Sequence, residues 1–475
     1  MKKELKEFEK AAQDLVEKYN IPGTSVALAQ KGELTYSKSF GFRNLEEALP
    51  INVDTVFGIG SITKSLTCIA IMQLQEQKKL SVQDPIVKYL PEFHLKDSST
   101  LKDMTIHHFM THSAGLPPLS SLYYALKRTM EIDPSVQDHK SLDLDNKNIG
   151  YIDTYEDLMR FISELDIELL GKPGKHFSYS NDCYALLGTI IERVSGKSYE
   201  QYCYDHILNP SGMNRSFFTI EEYKDDKNIQ MSYAVDVEDG KRRVYQAPVW
   251  WDAPAMRAAG FLKSTTKDML KYAEIFRNNG VVNNNRILSE ESVKQMMTCH
   301  IQTQPGKYYG YGLMITPEYF GTRLVEHGGN LKAIAAQMSI IPEEDLTGIT
   351  LTNLAAVPAS RVMELAFNSF QGREVNISHS DLDEVEAPLE ALESFVGEYV
   401  SNEGTKVSIE VENGKLTFTY QDANHPVKMV GENLLLATVN DMKELIQFHR
   451  DEKAKVGRIT FHYREFPKVS SKQKI

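Results

Sequence analysis

Four serines are followed three residues later by a lysine, at Ser61–Lys64, Ser99–Lys102, Ser264–Lys267 and Ser471–Lys474. On a helix, positions i and i+3 share a face, so the lysine amine can reach the serine hydroxyl. Such a pair can support covalent catalysis, in which the serine attacks a carbonyl and a neutral lysine takes its proton. The pattern is frequent by chance, and any one pair alone indicates surface residues more readily than an active site.

The pair Ser61–Lys64 differs from the others in its setting. It follows Gly58-Ile-Gly60 and opens an apolar stretch with helical periodicity over residues 65–77. The positive end of a helix dipole and apolar surroundings both disfavour an ammonium ion, so we expect the pKa of Lys64 to be lowered. The alternative is a serine cap at a helix start, with an exposed lysine one turn further on.

Two further motifs occur once each, namely Tyr179-Ser-Asn181 and His327-Gly-Gly329, the latter followed by Asn330. In isolation, Tyr179 indicates a core tyrosine and His327 a turn histidine. The ordered set of S-x-x-K, Y-x-N and H-x-G is far more specific than any of its members. The chain has no G-x-S-x-G elbow, P-loop, G-x-G-x-x-G or H-E-x-x-H motif.

On these motifs the chain resembles the superfamily of serine β-lactamases and penicillin-binding proteins. Its branch resembles the class C-like esterases, D-aminopeptidases and related serine peptidases. Supporting segments run in family order over nearly four-fifths of the chain, and they are 21–27, 57–65, 105–117, 173–181, 209–213 and 258–265. The resemblance implies an α/β (α+β) fold, in which an antiparallel sheet is flanked by helices and joined by a mostly helical lobe.

The resemblance also implies a role for each motif residue. Ser61 is the nucleophile that forms an acyl-enzyme, and Lys64 and Tyr179 together accept and pass on its proton. Which of the two is the formal base stays open, because such a pair titrates as a unit. The substrate-binding and oxyanion groups are Asn181, His327, Gly329 and Asn330. The resemblance implies no cofactor and no metal.

The histidine motif bears on the substrate. Many penicillin-recognising relatives carry Lys-Thr-Gly where this chain has His327-Gly-Gly329, and that lysine attracts a substrate carboxylate. Histidine is mostly neutral at pH 7, so we expect this fixed charge to be absent or pH-dependent. The sequence therefore favours small amides or peptides, including those with D-residues. The alternatives are a carboxylic esterase, a weak β-lactamase or penicillin-binding protein, and a catalytically silent binding or assembly module.

Other clusters have simpler interpretations. His107, His108 and His112 suggest a metal site, but adjacent histidines point apart on a helix, and the stretch matches a structural family segment. Trp250-Trp251 could line the substrate groove or form a packing pair.

The elements that must position the motifs can be predicted from periodicity. We predict a helix over 8–19, a hairpin over 24–40, and helices over 65–77, 154–162 and 184–194. Residues 119–150 are polar, contain Pro134 and lack steady periodicity, which favours a loop-rich insertion.

An acidic stretch divides the chain. Residues 374–393 carry no lysine or arginine, and beyond them apolar residues alternate with polar ones around Asn413-Gly414, a strong hairpin signal. We predict a hydrolase domain at 1–375, a solvated linker at 376–394 and a small antiparallel β domain at 395–475. The last resembles the lipocalin-like appendage of some of these peptidases.

Composition restricts the location and partners. The 475 residues include 53 Lys+Arg and 65 Asp+Glu, a net charge of −12, which disfavours a nucleic-acid binder. The N-terminus is charged and apolar runs are short, so we expect neither a secretory signal nor a membrane span. Four scattered cysteines indicate reduced thiols in a cytoplasmic protein. Expected partners are a small-molecule or peptide substrate and, through the C-terminal domain, further copies of the chain.

Overall fold

The computed structural model describes residues 2–96, 99–136, 150–238, 241–412, 414–451 and 453–469. The α-helices in these ranges are α1 (Lys2–Lys18), α2 (Thr63–Glu76), α3 (Ile106–Met110), α4 (Ser121–Glu131), α5 (Tyr155–Glu164), α6 (Asn181–Ser195), α7 (Tyr199–Cys203), α8 (Thr266–Arg277), α9 (Glu290–Met296), α10 (Ala359–Phe370) and α11 (Leu389–Phe395).

The first fifteen strands are β1 (Gly23–Gln30), β2 (Glu33–Asn44), β3 (Leu49–Pro50), β4 (Val56–Gly58), β5 (Tyr233–Glu238), β6 (Lys241–Gln246), β7 (Lys263–Thr265), β8 (Val281–Val282), β9 (Asn285–Arg286), β10 (Ile301–Gln304), β11 (Lys307–Tyr309), β12 (Met314–Tyr319), β13 (Thr322–Leu331), β14 (Ile334–Ile341) and β15 (Leu346–Thr352). The remaining strands are β16 (Gly397–Val400), β17 (Lys406–Glu412), β18 (Lys415–Tyr420), β19 (Ala423–His425), β20 (Val427–Gly431), β21 (Leu434–Val439), β22 (Met442–Arg450), β23 (Val456–Phe461) and β24 (Arg464–Pro467).

A nine-stranded antiparallel sheet with the order β10-β11-β12-β13-β14-β15-β1-β2-β3 is the centre of the larger domain. Strands β14 and β15 are buried along their whole length. Because side chains alternate across a sheet, Ala27 packs into the core on one face and Val26 into the core on the other. Helix α8 covers the first face, while α1 and α10 cover the second. The predicted antiparallel sheet flanked by helices is confirmed.

The predicted helices and the first hairpin are confirmed, with α1, α2, α5 and α6 close to the expected ranges. Helix α5 begins with a capping box, in which the Thr154 side chain accepts from the Asp157 backbone N–H and Asp157 accepts from the Thr154 N–H. Between β1 and β2, Lys31 and Gly32 both have positive φ, which suits a two-residue hairpin turn. Helices α2 and α6 pack together in the core of the helical lobe.

The prediction that residues 119–150 are loop-rich is wrong for the first part of this stretch, because Ser121–Glu131 forms helix α4. Its Tyr124, Leu126 and Met130 side chains are buried in the lobe core, so tertiary packing stabilises a helix that the polar composition did not indicate. Residues 137–149 of the stretch lie outside the described ranges.

The C-terminal region consists of two antiparallel sheets, β16-β17-β18-β19 and β20-β21-β22-β23-β24, around one shared core. A bridge between Tyr399 and Lys468 joins the first sheet to the last strand. Strands β17 and β18 pair as the alternating pattern predicted, although Asn413 of their turn lies outside the described residues.

The end of the stretch predicted as a solvated linker is ordered. Helix α11 occupies Leu389–Phe395, and the Phe395 ring stacks on Phe448 with 4.0 Å between centroids. Burial of Phe395 in the β-domain core therefore outweighs the acidic composition of this segment.

The β domain is docked against the larger domain. Lys18, at the end of α1, pairs with Asp441 at 2.6 Å, and the Tyr19 hydroxyl donates to the same carboxylate at 2.9 Å. The Gln304 side-chain amide donates to the Leu445 carbonyl at 3.2 Å. These contacts place the β domain beside the edge of the sheet that carries β10–β13.

Candidate active site

Ser61 lies in a single 3-10 turn, Gly60–Ile62, directly before α2. Gly60 has a φ of +53°, and a Cβ at this position would lie 2.9 Å from the backbone nitrogen of Asn330. Only glycine therefore allows the backbone before Ser61 to approach strand β13 so closely.

The Lys64 amine has three hydrogen-bond partners. It lies 3.1 Å from Ser61 Oγ, 2.8 Å from Asn181 Oδ1 and 2.6 Å from the Ala259 carbonyl oxygen. The last two atoms can only accept, so they take two N–H bonds of the amine. A neutral amine then has its lone pair left for the proton of the Ser61 hydroxyl.

The surroundings favour this neutral form. Lys64 has no solvent exposure, and burial is the main reason why its pKa lies well below the usual value. The positive charge of Arg464, from the C-terminal β domain, lowers it further, whereas Asp182 acts in the opposite direction. The lowered pKa predicted for Lys64 is therefore found, and the alternative of an exposed lysine is wrong.

Tyr179 lies against the same pair. Its ring centroid is 4.7 Å from the Lys64 amine, and its hydroxyl is hydrogen-bonded to Ser61. Burial raises the pKa of Tyr179, although the charge of Arg464 opposes that shift. The phenol is therefore protonated at neutral pH. Ser61, Lys64, Tyr179 and Asn181 thus meet at one point, as the ordered motifs predicted.

His327 is buried on β13 and both of its ring nitrogens are engaged. Nδ1 donates to the Gly328 carbonyl at 2.6 Å, and Nε2 lies 3.0 Å from the Tyr309 hydroxyl, from which it can accept. Burial lowers the pKa of His327 to about 3. The imidazole is neutral over the ordinary pH range, so of the two expectations for this position the absence of a fixed charge applies, and a pH-dependent charge does not.

Gly329 and Asn330 follow on β13, where they pair with Ala336 and Ala335 of β14. A Cβ on Gly329 would lie 1.9 Å from the Ile59 carbonyl oxygen, so this position also requires glycine. The two glycines together bring the Asn330 backbone next to the turn that carries Ser61.

His112 supports Tyr179, a role that none of the sequence motifs indicated. Its ring lies 4.3 Å from the Tyr179 ring, and Nδ1 accepts a hydrogen bond from the Ser180 backbone at 3.0 Å. The backbone of His112 has a φ of +54°. The family segment 105–117 contained this residue, but a linear motif does not indicate which ring the imidazole contacts.

The other two histidines of that segment bind protein groups rather than facing a common centre. His107 Nδ1 lies 2.8 Å from the Tyr311 hydroxyl, and His108 Nδ1 accepts from the Thr105 backbone at 3.1 Å. Within the described ranges, no three acidic, histidine or cysteine side chains are grouped to hold a metal ion.

The tryptophan pair separates into two roles. The Trp250 ring lies near Gly58, where an added Cβ would be 3.5 Å from it, so this ring stands beside the strand that leads to Ser61. Trp251 donates from Nε1 to Asp133 at 2.7 Å, and Lys332 binds the same carboxylate. Asp133, in the segment after α4, therefore joins Trp251 to Lys332 in the β13–β14 turn.

Comparisons with known proteins agree with this arrangement. Residues 8–368 match the family described as Beta-lactamase. Protein flp of Staphylococcus aureus (strain MW2) is 25% identical over 351 residues, which cover 74% of this chain and 63% of that protein.

Two solved structures are similar as well. The octameric penicillin-binding protein homologue from Pyrococcus abyssi has a TM-score of 0.69 at 29% identity and covers 98% of this chain and 100% of its own. A D-stereospecific amidohydrolase from Streptomyces sp. has a TM-score of 0.60 at 19% identity, over 77% of this chain and 98% of its own.

The chain belongs to the Beta-lactamase family. The resemblance drawn from the motifs is thereby confirmed. No helix in the described part of the chain is long and apolar enough to cross a membrane. All four cysteines are free thiols, as their scattered positions predicted.

Proposed function

We propose that this serine hydrolase cleaves small amides or peptides, including those with D-residues, through an acyl-enzyme on Ser61. The observation that carries the proposal is the hydrogen bonding of Lys64, whose two acceptors leave its lone pair for the Ser61 hydroxyl. A buried, neutral amine in this position is suited to act as a general base.

Acylation then follows from the protonation states. Ser61 Oγ bonds to the substrate carbonyl carbon while its proton moves to Lys64. Tyr179, whose pKa is raised by burial, holds a proton that it can give to the leaving nitrogen, and the Lys64 ammonium can replace it. We therefore assign Lys64 as the general base that accepts the Ser61 proton and Tyr179 as the group that passes a proton to the leaving nitrogen. Deacylation repeats the cycle with water in place of the serine.

The negative charge that develops on the substrate carbonyl oxygen needs hydrogen-bond donors close to Ser61 Oγ. We assign this role to the backbone N–H groups of Ser61 and Asn330, which the two close-packed glycines bring together. One such donor is worth about 3 kcal/mol of barrier.

The choice of substrate class rests on two considerations. His327 is neutral and has no free nitrogen for a substrate carboxylate, and the Streptomyces neighbour is, by its title, a D-stereospecific amidohydrolase. A carboxylic esterase with the same apparatus is the second candidate, and a weak β-lactamase the third. Rates on D- and L-aminoacyl anilides, compared with short-chain nitrophenyl esters, separate the first two, and mass spectrometry after incubation with penicillin tests the third.

The nucleophile can be tested with a fluorophosphonate probe, which reacts covalently with activated serines. We expect one label on Ser61, lost in Ser61→Ala and retained in Ser99→Ala, a serine from another S-x-x-K pair. Peptide mass spectrometry locates the label. A label that persists in Ser61→Ala would refute the assignment, and a protein that takes no label would favour the silent binding module.

Two further expectations stay predictions. The Pyrococcus homologue is octameric by its title, and we propose that copies of this chain also associate through the C-terminal β domain. A cytoplasmic location is likewise proposed from the sequence alone.

A further inference from the structure

A cavity of about 680 Å³ lies between the sheet of the larger domain and the C-terminal β domain. It is lined by strands β11–β14, by helices α1 and α10, by residues 376–381 and by hairpin tips of the β domain. Its volume is within the range of small-molecule pockets, about 300–1,000 Å³. Glu326 lines this cavity and its neighbour on β13, His327, faces the opposite side of the sheet, so the cavity is separate from the Ser61 site.

One wall of the cavity is shared with the catalytic cluster. Tyr463 lines the cavity, and with His462 it forms the turn between β23 and β24, in which both residues have positive φ. The Tyr463 ring packs against Phe177, and its carbonyl accepts from the Tyr179 backbone N–H at 3.1 Å. A ligand in the cavity would therefore touch a residue that contacts Tyr179.

The carboxylate of Glu326 is largely buried but accessible from the cavity. Oε2 accepts from the Gln337 side-chain amide at 2.7 Å and from Ser339 Oγ at 3.1 Å. Oε1 has no hydrogen-bond partner in the described part of the chain, and no cation lies at ion-pair distance there. Burial raises the pKa of Glu326. A carboxylate in this position is stabilised by a ligand that brings a positively charged donor.

Lys307 supplies the opposite charge. Its amine donates to Ser380 Oγ at 3.3 Å, and it forms no ion pair within the described ranges. Lys307 opposes the pKa shift that burial produces in Glu326, although the two side chains form no ion pair with each other. The two charges are therefore close enough for one small ligand to contact both.

Other charged groups around the cavity have partners. These pairs are Lys10–Asp14, Lys18–Asp441, Arg361–Glu364 and Lys443–Asp381. Glu444 lies 3.8 Å from His462 Nε2, but burial lowers the pKa of that histidine, so the charge of Glu444 is not neutralised. Glu444 and Glu326 both raise the pKa of the buried Tyr463, which places the two carboxylates toward the same end of the cavity. This end therefore favours a cation, and Lys307 favours an anion.

Apolar side chains line another part of the cavity. Leu324 of β13 and Met363 of α10 are almost fully buried, and Met314 of β12 is half-buried. These side chains offer no polar group to a ligand, so the part of the ligand that they contact is apolar.

We propose that this interdomain cavity binds a free α-amino acid with an apolar side chain. Glu326 binds its ammonium group, Lys307 binds its carboxylate, and the apolar residues contact its side chain. The site takes a zwitterion because it presents one uncompensated charge of each sign to a single small ligand. The proposal does not rest on the proposed function, since no residue of the catalytic cluster takes part.

Isothermal titration calorimetry with leucine, leucinamide and N-acetylleucine tests each charge separately. Leucinamide lacks the carboxylate, and N-acetylleucine lacks the ammonium group. We expect at least one enantiomer of leucine to bind about tenfold or more tightly than either derivative, the range for hydrogen bonds to charged groups. Glu326→Gln should abolish the preference over N-acetylleucine, and Lys307→Met the preference over leucinamide. Glu410→Gln, the same change at an exposed position of β17, should leave all three affinities unchanged.

Other outcomes overturn the proposal. They are a natural protein that does not bind leucine, a derivative that binds as tightly as leucine, and preferences that persist in both variants. If Glu326→Gln does not fold, the natural protein and Lys307→Met still decide.

The titrations are repeated after fluorophosphonate has blocked Ser61, because an amino acid could also bind in the active site. Leucine binding that is lost on blocking would belong to the active site and overturn the proposal. A protein that takes no label would refute the proposed function instead, and the comparison of Glu326→Gln with Glu410→Gln would still test the cavity.

Discussion

Lys64 is completely buried and makes three polar contacts, and both features favour the neutral form of its amine. Burial removes the ammonium form, while Asn181 and Ala259 satisfy the N–H bonds that the neutral amine still has. The sequence predicted this chemistry from the spacing of Ser61 and Lys64. It could not indicate Ala259, because that carbonyl belongs to a loop almost two hundred residues away.

The pH dependence of the site follows from the neighbours of Lys64. Activity needs the neutral amine, so the rate of Ser61 labelling should fall as pH drops through the pKa of Lys64. Arg464 lowers that pKa, so Arg464→Gln should raise it and move the acid limb to higher pH. The limb is measured as the labelling rate against pH.

An opposite shift provides the control. Asp182 raises the pKa of Lys64, and burial raises the pKa of Asp182 itself to about 7, so its charge is present mainly above that pH. Asp182→Asn should therefore move the acid limb to lower pH. If the acid limb of both variants coincides with that of the natural protein, the assignment of Lys64 as the base is contradicted.

At the scale of elements, the approach of the Ser61 turn to β13 depends on glycine. Gly60→Ala places a Cβ against the Asn330 backbone in a left-handed conformation that costs about 1–2 kcal/mol. Because the turn must also move, we expect activity to fall by about a hundredfold, measured with a neutral ester.

Gly321 offers a matched control for that substitution. It has a φ of +84°, and nothing lies within 4 Å of an added Cβ. Gly321→Ala should lower the free energy of unfolding by a similar amount, measured in urea, while activity is unchanged. Equal losses of activity in the two variants would mean that backbone strain alone, rather than the contact with β13, is responsible.

The elements themselves were largely predictable where the pattern was local. Helix α5 has its cap and periodicity in one stretch of sequence, and the β1–β2 hairpin has its turn between two alternating runs. Helices α4 and α11 were not predictable, because each is stabilised by burial against residues far along the chain.

At the scale of the whole molecule, a turn of the C-terminal β region reaches the proposed active site. The turn His462–Tyr463 packs on Tyr179, so its side chains should confine the catalytic phenol. Replacing the turn with Asn-Gly, through His462→Asn and Tyr463→Gly, keeps positive φ at both positions and removes the ring. We expect Ser61 labelling to slow by up to about a hundredfold, the range for a misplaced catalytic group.

The control for this prediction lies at another hairpin tip of the same domain. Asp441→Asn weakens the pairing with Lys18 on α1, away from Ser61, and should leave the labelling rate unchanged. A turn replacement that labels as fast as the natural protein would show that the β domain does not confine Tyr179.

The contact between Ser61 and Lys64 and the fold class could be predicted from the sequence, because a helical spacing of three and an ordered set of motifs are properties of the chain itself. The charge of the groove was decided only by the tertiary structure. Arg464 follows no motif and lies about four hundred residues from Ser61, so its meeting with Tyr179 depends on how the β domain packs against the sheet. This packing depends on surfaces that exist only in the folded chain, so the spacing of residues along the sequence does not indicate it.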